Sequence, residues 1–139
     1  MEGFMTKSEA RELAFAIGFE RLLAKESVDE IINAAGEVRE VSIPSFTKKI
    51  SKGVEANEEA VDAIIERNLK GWKLSRLSTV AHAILRIAVY EIYYEDNIPV
   101  GVSINEAVEL SKTYGDESDA RFVNGVLSDV AKEKANNNE

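Results

Sequence analysis

Thr79-Val80-Ala81-His82-Ala83-Ile84-Leu85-Arg86-Ile87-Ala88-Val89-Tyr90-Glu91-Ile92-Tyr93-Tyr94 is the most hydrophobic stretch of this 139-residue chain. Val80, Ile84, Leu85, Ile87, Ala88, Val89 and Ile92 leave only a thin polar stripe at His82 and Arg86. A helix that is apolar nearly all round belongs at the centre of a domain. Asn97-Ile98-Pro99 ends it, because proline cannot continue the hydrogen-bond ladder.

Helix signals also dominate on either side. Upstream, Thr6-Lys7-Ser8-Glu9 is a capping box that opens a first helix, with Leu13, Ala14 and Ile17 on one apolar stripe and Phe15, Phe19 and Leu22 on its neighbour. Arg11, Glu12 and Lys25 fall toward the polar side. Ser27-Val28-Asp29-Glu30 repeats the box and starts a second helix, which Gly36 and the residues around Val41 help to end. Pro44 suits a first helical turn, and Phe46, Ile50 and Val54 recur every four residues after it. Asn57 reads as the cap of a fourth helix that carries Val61, Ile64, Ile65 and Leu69 and stops at Gly71. Downstream, Ser103-Ile104-Asn105-Glu106 reads as a third capping box, opening a helix that stops at Gly115. Phe122, Val123, Val126, Leu127 and Val130 then set a last amphipathic period, in which Gly125 allows close helix approach. The tail 136–139 is expected to fray. The fold class is all-α, with about seven helices.

Composition bounds the function. At 45% hydrophobic residues the chain can bury one core. It has no cysteine, and its start, Met1-Glu2-Gly3-Phe4-Met5, carries an acid where a signal peptide needs positive charge. A cytoplasmic protein is expected, with no membrane span. A net charge of −8 argues against indiscriminate binding to nucleic acid. The charge is uneven, however: residues 1–25 balance Lys7, Arg11, Arg21 and Lys25 against Glu2, Glu9, Glu12 and Glu20, and no acid occurs between Arg67 and Tyr90. His82 is the only histidine and reads as a satisfied helix residue, which leaves neither a histidine metal cluster nor a catalytic triad. Glu91 and Glu95, spaced i and i+4, could pair on one helix face. No glycine-rich phosphate loop occurs. The chain is therefore read as a non-enzyme without cofactor or metal. Phe15, Phe19, Phe46 and Phe122 read as core, whereas some of Tyr90, Tyr93 and Tyr94 must reach the surface and could anchor a partner.

From Trp72-Lys73-Leu74-Ser75-Arg76-Leu77 through Ala83-Ile84-Leu85-Arg86-Ile87-Ala88-Val89-Tyr90-Glu91-Ile92 the chain resembles the NusB family of transcription antitermination factors. The resemblance continues through Ile98-Pro99-Val100, Ser103 to Lys112, and Arg121-Phe122-Val123-Asn124-Gly125-Val126-Leu127. Toward the N-terminus it rests on Lys7, Ala10-Arg11-Glu12 and Phe19. It implies two helical subdomains, about 1–56 and 57–135, and a role in which the factor and ribosomal protein NusE together bind single-stranded boxA RNA of ribosomal RNA transcripts within the RNA polymerase antitermination complex. RNA contacts are expected at Lys7, Arg11, Lys112, Arg121 and Asn124, and NusE contacts at Glu91 and Tyr94. Changing Lys7 and Arg11 to Glu is expected to leave the fold intact. In the arginine-rich motif of the family, Ser8 and Glu9 stand here where basic residues are common, and Ala16 and Gly18 replace the frequent glutamine and leucine. Two alternatives accompany this reading: a module related to the RNA-binding part of ribosomal RNA cytosine methyltransferases, which would need a methyl-donor domain after residue 139, and a protein-interaction adaptor without RNA binding. A homodimer that covers the RNA face is left open.

Overall fold

The computed structural model describes residues 5–39 and 42–137, and among them finds seven α-helices and no strand: α1 Lys7–Ala24, α2 Val28–Arg39, α3 Ser45–Ala56, α4 Glu58–Arg67, α5 Thr79–Tyr94, α6 Val100–Tyr114 and α7 Glu117–Asn137. A single 3-10 turn, Leu74–Arg76, lies between α4 and α5.

Helix α5 spans the stretch quoted at the outset and packs against α1, α3, α4, α6 and α7. Ser78 caps it by accepting the Ala81 N–H. Ile84, Leu85, Val89 and Ile92 are fully buried, each side chain worth roughly 1.5–3 kcal/mol of removal from water. They join Ala14, Phe15, Ile50, Val54, Val61, Ile65, Val123, Leu127 and Val130 in one continuous core. That core crosses the junction of α3 and α4 at residues 56 and 57, so the N-terminal helices are packed onto the same centre as the rest. Ile17, Val28 and Ile31 form a smaller cluster under α2.

Both N-terminal capping boxes are present. Thr6 and Glu9 exchange bonds of 2.9 and 3.0 Å, and Ser27 and Glu30 bonds of 2.8 and 3.1 Å. An Asp116–Asp119 pair repeats the exchange at the start of α7.

Several boundaries differ from expectation. Helix α2 continues through Gly36 to Arg39, and Val41 lies outside the described residues. The Asn57 amide turns back to the Gly53 carbonyl at 2.9 Å, sealing the end of α3 instead of capping α4. Helix α4 stops at Arg67, before Gly71; the left-handed turn is made by Lys70 (φ 51) and Gly71 (φ 92). Helix α6 begins at Val100 directly after Pro99, so Ser103 is already one turn inside it and does not cap it. Proline needs no N–H partner, and its carbonyl accepts from Val102 and Ser103, so the helix starts without a side-chain cap. A Cβ at Gly125 would meet nothing within 4 Å, so the glycine's missing side chain is not what lets a helix approach. Helix α7 runs through the first two residues of the expected frayed tail.

Candidate nucleic-acid interface

The expected contact residues separate into an interior pair and an exposed set. Arg11 is 4% exposed and Glu91 only 1%. The Arg11 guanidinium donates from Nε and Nη2 to the two oxygens of Glu91 at 2.8 and 3.0 Å, a two-pronged grip of α1 on α5. Its Nη1 reaches Glu106 of α6 at 3.3 Å, and the Ser103 hydroxyl donates to Glu91 at 2.8 Å. The serine and glutamate that looked like a capping box are thus two members of a buried network joining three helices. Burial alone would lower the Arg11 pKa, but hydrogen bonding to and attraction by Glu91 and Glu106 outweigh it, and the pKa is raised. The charge is held on.

These positions correct three expectations. Arg11 does not lie on the polar side of α1, and Glu91 does not leave the central helix toward solvent, because each is the other's counter-ion. An Arg11→Glu change would set a third carboxylate against Glu91 and Glu106, so reversing Lys7 and Arg11 together is expected to disrupt the fold. Glu91 and Glu95 do not pair either: Glu95 accepts the Tyr90 hydroxyl at 2.9 Å and meets Lys49 at 2.9 Å.

The remaining residues are accessible. Lys7, in the first turn of α1, is exposed, with its ammonium 5.3 Å from the centre of the Phe46 ring, which Arg11 also overlies at 5.0 Å. Phe46 therefore ties the entry of α1 to α3 and is not simply core. Lys112 is exposed in the last turn of α6, beside Glu109 at 3.6 Å. Two residues on, Tyr114 lies against the Phe15 ring at 4.8 Å and donates its hydroxyl to Glu12, fastening the end of α6 to α1. Sequence reasoning missed Tyr114, because its partners lie about a hundred residues away. Arg121 and Asn124 stand one turn apart on the exposed face of α7. Arg121 also lines an open groove of about 430 Å³ with Lys70, Trp72, Phe122 and Gly125. Tyr94 is 42% exposed and stacks on Tyr90 with centroids 5.2 Å apart.

Three of the five cations from Arg67 to Arg86 are matched by acids. Arg67 forms a two-pronged pair with Glu133 at 2.8 and 2.9 Å, Lys70 meets Asp129 at 3.3 Å, and Arg86 is held by Asp62 and Glu58. His82 also bonds Asp62, at 2.9 Å. Among the described residues no group of three or more histidines or acids could hold a metal ion, and no helix is long and apolar enough to cross a membrane.

Comparison with known proteins places this arrangement. The NusB family model matches residues 8–132. The transcription antitermination protein NusB of Listeria welshimeri is 42% identical over 129 residues, covering 93% of this chain and 98% of that protein. The solved structure of T. maritima NusB superimposes with a TM-score of 0.83 at 32% identity, covering 94% of each chain. A chain in the crystal structure of the antitermination factors NusB and NusE in complex with double-stranded RNA gives 0.81 at 28% identity, covering 93% of this chain and 99% of that one. The match in sequence and fold runs along nearly the whole length, and the chain belongs to the NusB family.

Proposed function

We propose that the protein is a transcription antitermination factor that binds boxA RNA of ribosomal RNA transcripts jointly with NusE, in the cytoplasm, as part of the assembly that acts on RNA polymerase. As a member of this family it is not an enzyme. The observation that carries the reading is family membership over residues 8–132, with fold likeness to a chain of the NusB–NusE–RNA complex. The accessible polar residues Lys7, Lys112, Arg121 and Asn124 supply the RNA contacts, and Tyr94 supplies a contact to NusE. Arg11 and Glu91 act from within, holding the helix that carries Lys7 against α5. RNA recognition of this kind needs phosphate charge, stacking and base edges, and no reactive group.

Two to four basic contacts on a net charge of −8 give weak binding alone and a shallow salt dependence, about −0.7 in log K per phosphate neutralised on a single strand. NusE raises the affinity by presenting a second binder on the same RNA. The adaptor reading draws on the same acidic charge and on Glu9, whose carboxylate is committed to the helix cap. The antitermination reading is favoured over the methyltransferase module by the Listeria welshimeri protein, 98% of whose length this chain covers. Titrating boxA RNA at two salt concentrations, with and without NusE, tests the proposal: tighter binding with NusE supports it, and no binding in either case leaves the adaptor.

A further inference from the structure

Trp72, the only tryptophan of the chain, is 59% exposed, although such a side chain has more apolar surface to bury than any other. It stands in the loop between α4 and α5, directly after the left-handed turn at Lys70 and Gly71. Its indole neighbours Phe122, with centroids 6.3 Å apart at 57°. Both rings line the groove of about 430 Å³ described above. Lys70, Arg121 and Gly125 also line it, and a Cβ at Gly125 would meet nothing within 4 Å. The acid in the groove, Asp129, is matched by Lys70, and Arg121 makes no ion pair among the described residues. An exposed aromatic ring near an unmatched guanidinium suits an unpaired nucleobase with its adjoining phosphate: the ring takes the base by stacking and the cation takes the backbone.

We propose that Trp72 is a base-stacking site that carries the RNA path from Arg121 on α7 onto the loop between α4 and α5. The proposal rests on the RNA-binding reading above and adds to it a site that the basic stretch did not reveal. A stacked base quenches indole emission and shields it from solution quenchers, and with one tryptophan the signal has one source.

The test titrates fluorescein-labelled boxA RNA into the protein with NusE present, reading RNA anisotropy, tryptophan emission corrected for NusE, and acrylamide quenching. Emission should fall and acrylamide access should drop in step with anisotropy. Trp72→Ala should weaken binding roughly five- to a hundredfold, the equivalent of one stacked base, with Trp72→Phe recovering most of it and both variants melting as the parent does. If anisotropy saturates while emission and acrylamide access stay constant, and Trp72→Ala binds as the parent does, the Trp72 site is wrong and RNA binding stands. If NusE alone shields Trp72 and RNA adds nothing, the groove is a protein contact and the proposal fails. If anisotropy never rises, the RNA-binding reading fails together with it.

Discussion

Arg11 is a charge kept away from water by two carboxylates, and such a group is stable only while its partners remain. Glu91→Ala would leave the guanidinium with Glu106 alone and Ser103 without its acceptor. The expected cost is about 3–5 kcal/mol in urea unfolding, far above that of a surface change. A loss below about 0.5 kcal/mol would place the pair in solvent. Lys7 behaves differently. It is exposed in the first helical turn, where an acid is favourable to the helix dipole, so Lys7→Glu should keep the melting temperature while weakening boxA binding by about 1–3 kcal/mol. The two residues sit four apart on one helix and are both basic, so their sequence says nothing of the difference. Arg11 is distinguished by a partner 80 residues away.

Where helices meet, local preference and tertiary fit can disagree in sign. Helix propensity favours alanine over glycine at Gly53 by about 1 kcal/mol. A Cβ at Gly53, however, would lie 2.2 Å from Cζ of Tyr90, so Gly53→Ala should destabilise by about 1–3 kcal/mol as α3 is pushed off α5. A rise in melting temperature would contradict the close approach.

The same C-terminal end of α5 is joined to α4 and α7 through Glu133. Hydrogen bonds from Arg67, Tyr93 and Asn68 hold its carboxyl at about 2, against the burial that would raise it, while burial and the same contact push the Tyr93 hydroxyl up to about 12. A carboxyl whose folded pKa lies below its unfolded value stabilises the fold fully above the unfolded value, near 4.5, and ceases to as pH falls toward 2. Glu133→Gln should therefore be less stable than the parent at pH 7, with the gap closing between about pH 4.5 and 2. A gap that is constant across this range would show that the carboxylate is not the stabilising form.

At this level the sequence is read well where one helix contains the whole signal. The limits of α5 follow from its apolar run and Pro99, and two capping boxes follow from spacing within four residues. The Ser103–Glu106 spacing misleads because both side chains are claimed by Arg11 and Glu91 across the core.

For the whole molecule, the net charge of −8 accords with the proposal that NusE helps the protein hold RNA. The all-helical class and the central place of α5 are legible in hydrophobic period alone, and the family in ordered motifs from Trp72 to Leu127. The contact face is only partly legible, because exposure and ion pairing are tertiary properties: Arg67, Lys70 and Arg86 read as a basic patch yet are matched by Glu133, Asp129, Asp62 and Glu58. The most direct test compares boxA affinity, with NusE present and at one salt concentration, for the parent, for Lys7→Glu with Arg121→Glu, and for Lys70→Glu with Lys73→Glu. The first pair should weaken binding by at least about tenfold with an unchanged melting temperature, as expected for one or more lost charge-assisted contacts, and the second pair should do less. Loss of binding in the second pair, with the first pair binding as the parent does, would show that Lys7 and Arg121 do not hold the RNA and contradict the assignment to α1 and α7.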